Sequence, residues 1–269
     1  MTHQDAPANL PEAEEDTASA PMAEVYNTDR FGVLYAESRY PPVANLGLAA
    51  CFLCTFFQYH AIPFSFLGGW AVYLRGGGRT TTDIDVTVDS AMNVLERALQ
   101  TEHRVCIPQT HGQTSIQIFI HTGGDWDRQW PNTSTYTVSA DVIISGHLGT
   151  PNDLRYGYGT EGILPIPATP HGSNFVPVLS LFYQLAAKFQ AHSWRRGEAA
   201  SDYEDLIFLI GQYPEEVWSL HALFDRNHLN VFWTDVAATH GSMHEFTNYV
   251  GRLLGLAEDS ENDGSTTLL

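Results

Sequence analysis

Seven residues, DIDVTVD at 83–89, alternate strictly between acidic or hydroxyl side chains and β-branched apolar ones. A period of two is the signature of a half-buried strand, with Ile84, Val86 and Val88 on one face and Asp83, Asp85, Thr87 and Asp89 on the other. A chain that carries it must build a sheet with one dry face and one polar face. Asp83 and Asp85 then point the same way with Cα atoms about 6.6–7 Å apart, while Ile84 anchors the strand between them. Two such carboxylates can converge on one or two hard cations, and Mg2+ takes carboxylate and phosphate oxygens in an octahedron. Asp89 lies about 13 Å beyond Asp85 on the same face and is assigned no role.

The residues before this strand point toward phosphate. AIPFSFLGG reads as a turn feeding a short strand that ends at Gly68-Gly69, and WAVYLRG as a short helix after it. At such a junction the missing Cβ lets backbone approach an anion, and the helix start offers free N–H groups. The loop GGGRTTT then supplies the guanidinium of Arg79 and the hydroxyls of Thr80, Thr81 and Thr82. Each piece alone has a plain reading: a solvated strand face, a tight turn, a surface loop. Their sequence of occurrence suits a phosphate held beside a divalent metal.

The remaining organisation is α+β. NLGLAACFLCTFFQYH and AMNVLERALQTE have helical spacing, and TSIQIFI and YTVSADVIIS read as two more strands, separated by a Gly- and Trp-bearing loop at 122–134. From Phe175 the texture turns helical, in VPVLSLFYQLAAKFQAHSWRR, SDYEDLIFLIGQY and HEFTNYVGRLLGLA. This predicts an acidic disordered tail at 1–28, a mixed-sheet α/β domain at 29–170, a helical domain at 171–256 and a polar tail at 257–269. The sparsely charged stretches 105–115 and 145–175 read as loops that shape a pocket.

Composition narrows the partners. The formal net charge is −18, but seven acids precede Arg30 and four follow Leu256, so a third of the acid lies in the tails. The body is still acidic and shows no basic face, which argues against a nucleic-acid backbone and for small molecules or nucleotides. The N-terminus has no apolar core of a secretory signal, and the most apolar stretch, VANLGLAACFLCTFF, is short for a membrane span. With three cysteines and no disulfide framework, a cytoplasmic location is expected. Cys51 and Cys54 match C-x-x-C only by letter and read as helix-core thiols.

The run h-G-G, thirteen residues, then D-h-D-h resembles the nucleotidyltransferase superfold, which includes DNA polymerase β, CCA-adding enzymes, lincosamide and aminoglycoside nucleotidyltransferases and AbiEii-type toxins. That pattern requires a third carboxylate on a later strand, and VSADVIIS offers Asp141, with Ala140, Val142 and Ile144 facing away. Small-molecule and AbiEii-type members also carry a helical lysine, an arginine and a D-x-x-D-L segment. LAAKFQAHSWRRGEAASDYEDL places Lys188, Arg195, Arg196, Asp202 and Asp205 in that order, and Lys188 is the only lysine in the chain. The resemblance implies a nucleotidyltransferase-like mixed sheet with flanking helices and a helical C-terminal half. It implies nucleotidyl transfer from a nucleoside triphosphate, most simply AMP from ATP, with Asp83, Asp85 and Asp141 holding two Mg2+ ions. Gly68, Gly69, Arg79, Thr80, Thr82, Lys188, Asp202 and Asp205 would form the triphosphate site.

The acceptor is expected to be a small molecule. Adenylation of a carboxylate for ligation, transfer to tRNA or protein, and a non-catalytic nucleotide-binding scaffold are the alternatives. His240 and His244 in HGSMH lack the glutamate of a zinc-protease motif. Asp125 and Asp127 form a second D-x-D, but in a loop, where Trp126, Arg128 and Trp130 read as exposed or as part of a lid. No Walker A, Rossmann or G-x-S-x-G pattern is present.

Overall fold

The computed structural model describes residues 22–165, 174–195 and 200–256. The chain runs β1 (Glu24–Tyr26), α1 (Thr28–Glu37), α2 (Val43–Tyr59), β2 (Phe64–Leu67), α3 (Gly68–Leu74), β3 (Asp83–Val88) and α4 (Met92–Gln100). It continues through β4 (Val105–Pro108), β5 (Ser115–Thr122), β6 (Tyr136–Ile144), β7 (Thr160–Ile163) and β8 (Val176–Leu179). Helices follow: α5 (Leu181–Trp194), α6 (Ala200–Gln212), α7 (Pro214–Leu220), α8 (Arg226–His240) and α9 (His244–Leu253).

The eight strands form one mixed sheet in the order β1-β4-β5-β6-β3-β2-β8-β7. The α+β class expected from the sequence is therefore the observed one. Ile84, Val86 and Val88 are fully buried against α2, α3 and α4, in a core that includes Leu53, Phe57, Trp70 and Leu95. Each such side chain contributes about 1.5–3 kcal/mol of apolar burial, which pins the register that turns Asp83 and Asp85 to the other face. A second core, built from Leu185, Phe189, Leu206, Phe232 and Val250, unites the C-terminal helices. Val72 of α3 belongs to that second core, so the helix after Gly68-Gly69 ties the helical half to the sheet.

Several elements differ from the sequence expectation. Residues 24–26, grouped with the acidic tail, are a strand that pairs in parallel with β4. Residues 105–108 and 160–163, read as loop, are strands, and 176–179, read as the start of the helical half, is a strand paired with β2 and β7. These strands have only three or four residues, too few for alternation to show, and they exist because their backbones complete the ladder. His240 and His244 sit on different helices, α8 and α9. Most of the two tails, and Arg196, lie outside the described residues. Among the described residues no helix is long and apolar enough to cross a membrane.

Candidate functional site

The sheet brings the three aspartates together by register. β3 and β6 pair in parallel, with Asp85 opposite Asp141 and Asp83 opposite Ser139. Neighbouring strands are about 4.8 Å apart, so the three carboxylates form one tight group on the polar face. They line a cleft of about 420 Å³ together with Gly68, Gly69, Arg79, Thr81, Thr82, Gln184, Lys188, Arg195 and Asp202. Thr81 Oγ1 donates to Asp83 Oδ1 at 3.0 Å, which orients that carboxylate.

Crowding like charges in a half-closed cleft has an electrostatic cost. The Asp85 carboxyl is pushed up to about 7, first by burial and then by the charges of Asp83 and Asp141. Asp141 rises to about 6 for the same reasons, burial and Asp83. Groups that resist ionisation together are relieved by a divalent cation between them, and an all-oxygen donor set fits a hard ion such as Mg2+.

The two glycines have a more specific reason than the sequence suggests. Gly68 has φ +65°, and a Cβ there would lie 1.8 Å from Asp85 Oδ2. At Gly69 a Cβ would meet Thr81 Oγ1 at 2.7 Å and Arg79 Nη2 at 3.0 Å. The glycines therefore make room first for the protein's own carboxylate and loop, because β2 pairs with β3 so that Leu67 faces Asp85. Gln184 of α5 reinforces the corner: it is buried, and its Nε2 donates to the Gly68 carbonyl at 3.1 Å. No local pattern marks this glutamine in the sequence.

The opposite wall is helical and internally paired. Lys188 Nζ bonds Asp202 Oδ1 at 2.9 Å and Asp205 Oδ2 at 2.7 Å. Arg79 grips Asp205 with two bonds, Nε to Oδ1 at 2.9 Å and Nη2 to Oδ2 at 2.6 Å. Arg195 Nη2 lies 2.8 Å from Asp202 Oδ2. The helical aspartates thus hold three cations at the cleft. Asp202 lines the cleft, whereas Asp205 lies behind it among the cations. Thr80 is exposed and does not line the cleft; its carbonyl accepts from Arg79 Nη1 at 3.1 Å.

A second cavity of about 250 Å³ opens on the other side of Asp83, lined by Tyr35, Ser38, Arg39, Tyr40, Thr82, Gln117 and Ser139. The rival pair Asp125 and Asp127 lies in a 3₁₀ turn. Asp127 is structural there: its Oδ2 accepts from Arg104 Nη2 at 2.9 Å and from the Gly123 amide at 2.7 Å.

No protein-family model matches the chain, and no curated protein matches it. Solved structures are similar to it in fold. An antigenic nucleotidyltransferase-like protein from Paracoccidioides brasiliensis aligns with a TM-score of 0.50 and 15% identity, over 77% of this chain and 92% of that one. Two structures of the antibiotic-resistance factor ANT(2″)-Ia align at TM-scores of 0.41 and 0.42 with 12% and 14% identity. They cover 74% and 65% of this chain and 95% and 96% of theirs, and the second is a complex with adenylyl-2″-tobramycin. The mixed sheet, with its carboxylate strands and helical C-terminal half, is a nucleotidyltransferase-like fold.

Proposed function

We propose that this protein is an enzyme, a metal-dependent nucleotidyltransferase that moves AMP from ATP to a small-molecule acceptor and releases pyrophosphate. One observation carries the reading: Asp85 and Asp141 stand in register on neighbouring parallel strands, with Asp83 beside them, facing a wall of three cations across one cleft. A carboxylate group for metal opposite a cationic group for phosphate is the layout that phosphoryl chemistry needs.

Asp83, Asp85 and Asp141 would hold Mg2+, which when bound neutralises the triphosphate and stabilises the attacking and leaving oxygens. The remaining work falls to the chain. Lys188, Arg79 and Arg195, held in place by Asp202 and Asp205, would use their remaining donors on the β- and γ-phosphates and stabilise the charge that builds on departing pyrophosphate. Thr81 keeps Asp83 in place. The acceptor enters from the cavity beside Asp83, and its hydroxyl or amine attacks the α-phosphorus opposite the pyrophosphate oxygen. Asp141, on the strand beside Asp85, would also stand where it could receive the acceptor's proton. The acidic body makes nucleic acid a poor acceptor, and the composition suits a cytoplasmic setting.

A specific residue favours a second reading, adenylation of a carboxylate. Arg39 lines the acceptor-side cavity, where a guanidinium suits a carboxylate better than a polycation. Thermal unfolding with each of the four ribonucleoside triphosphates, with and without Mg2+, tests the common core of both readings. Stabilisation by one triphosphate that needs Mg2+ and vanishes in Asp83→Ala/Asp85→Ala supports transfer. No shift with any triphosphate removes it. Trapping by hydroxylamine then separates an acyl adenylate from a stable nucleotidylated product.

A further inference from the structure

Away from the aspartates, the sheet assembles a second constellation. Glu24 of β1, Cys106 of β4 and His121 of β5 lie on adjacent strands and on one face, with one ligand atom from each within 4.8 Å of the others. Cys106 Sγ is 3.5 Å from Glu24 Oε2 and 3.4 Å from His121 Nε2. A tetrahedral Zn2+ with a thiolate at about 2.3 Å and nitrogen or oxygen at about 2.0–2.1 Å sets ligand-to-ligand edges of about 3.5 Å. Two of the three edges already have this length. Glu24 is exposed, so its side chain can close the third.

The surroundings are those of a supported metal site. His121 Nδ1 lies 3.3 Å from Thr137 Oγ1, so an Nδ1–H donating to that hydroxyl leaves Nε2 free to ligate. Trp126 stacks on the imidazole at 5.4 Å and holds its plane. Arg30 holds the Glu24 carboxylate in place, Nε donating to Oε1 at 2.6 Å and Nη2 to Oε2 at the longer 3.3 Å, while Oε2 also faces the sulfur. Burial lowers the proton affinity of His121, which favours the neutral ring that metals require. In the metal-free state Cys106 is a protonated thiol, held so by burial and by Glu24.

We propose that Glu24, Cys106 and His121 bind a Zn2+ ion, with solvent water completing the tetrahedron, and that this ion fastens β1 to the sheet. The thiol proton leaves to solvent as the sulfur–zinc bond forms. A mixed sulfur, nitrogen and oxygen set selects a borderline ion such as Zn2+ over Mg2+, so the site is chemically separate from the aspartates. Its mechanical reach extends to them. The Tyr26 hydroxyl, next on β1, donates to the Gln117 carbonyl at 2.8 Å, and Gln117 faces Asp141 across the ladder.

Cobalt titration of the full chain tests this, because a thiolate ligand gives Co2+ a near-ultraviolet charge-transfer band that carboxylate sites do not. With excess Mg2+ present to occupy the aspartates, the expected result is one equivalent of Co2+ bound with that band, displaced by Zn2+. The band should survive in Cys51→Ser/Cys54→Ser and vanish in Cys106→Ser. His121→Gln and Glu24→Gln should each weaken Co2+ binding by at least about ten-fold, as loss of metal-site groups does. No band, or a band that persists in Cys106→Ser, overturns the proposal. Should Cys106→Ser not fold, unchanged Co2+ affinity in both the His121 and Glu24 variants overturns it equally.

Discussion

Two groups of aspartates face each other across this cleft, and they live under opposite electrostatics. Asp202 and Asp205 are almost fully buried yet neutralised, because Arg79, Lys188 and Arg195 pair with them. Among the described residues no ion pair reaches Asp83, Asp85 or Asp141. One group is stable as it stands; the other stores repulsion that a cation relieves. Residues that pack for stability find their partners within the chain. On the proposed reading, residues that serve a ligand leave the pairing unfinished, and the raised proton affinities of Asp85 and Asp141 fit that reading.

The strongest way to break this contrast is to remove a member from each group. Asp141→Asn should lower pyrophosphate release by about 10³-fold or more, the scale lost with one preorganised electrostatic element, while leaving the protein folded. Lys188→Met should do the reverse, failing first as a fold. It leaves Asp205 to Arg79 and Asp202 to the exposed Arg195, at a cost of about 1–3 kcal/mol, read as a lower midpoint in urea unfolding. If Lys188→Met unfolds like wild type, the helical aspartates are not the structural group.

Gly68→Ala sharpens the comparison at the corner between the groups. Its left-handed backbone and the clash with Asp85 should cost about 1–3 kcal/mol, and activity should fall further than stability because the carboxylate is displaced. The next effect is a pH dependence. Asp85 ionises at about 7 and Asp141 at about 6 in the fold, against an ordinary 3.8. The folded state therefore holds these protons more tightly than the unfolded chain, and stability falls as pH rises from about 4 through 7. Without added metal, Asp85→Asn should melt higher than wild type at pH 8 and nearly equal to it at pH 4. Mg2+ should raise the wild-type melting temperature at pH 8 and leave that of the variant almost unmoved. The smallest effect belongs to Arg195→Ala. Its side chain is 57% exposed, so the stability change should stay within about 1 kcal/mol, while triphosphate binding weakens.

Local pattern carried much of the candidate site's placement. Alternation placed Asp83 and Asp85 on one face, the same alternation placed Asp141, and the cores on the other face enforce both. Lys188, Asp202 and Asp205 were legible as a group, though as phosphate contacts rather than as partners of one another. Gln184 and the reason for Gly68 were not legible. Both depend on α5 and β3 meeting residues distant in sequence, 116 positions apart for Gln184 and Gly68. The short strands β1, β4, β7 and β8 were missed because three or four residues offer no measurable period, and unlike β2 they are not bounded by a turn and a glycine pair. Their strand state comes from hydrogen bonds donated by neighbours.

By itself the sequence determined the α+β class and the strand faces that carry Asp83, Asp85 and Asp141, since periodicity is a local property of side-chain polarity. Tertiary structure alone decided which charges are paired, which glycine makes room for which carboxylate, and that Glu24, Cys106 and His121 share one patch. Those facts rest on strand order and register, which join residues far apart in the chain and are set by the packing of the whole sheet.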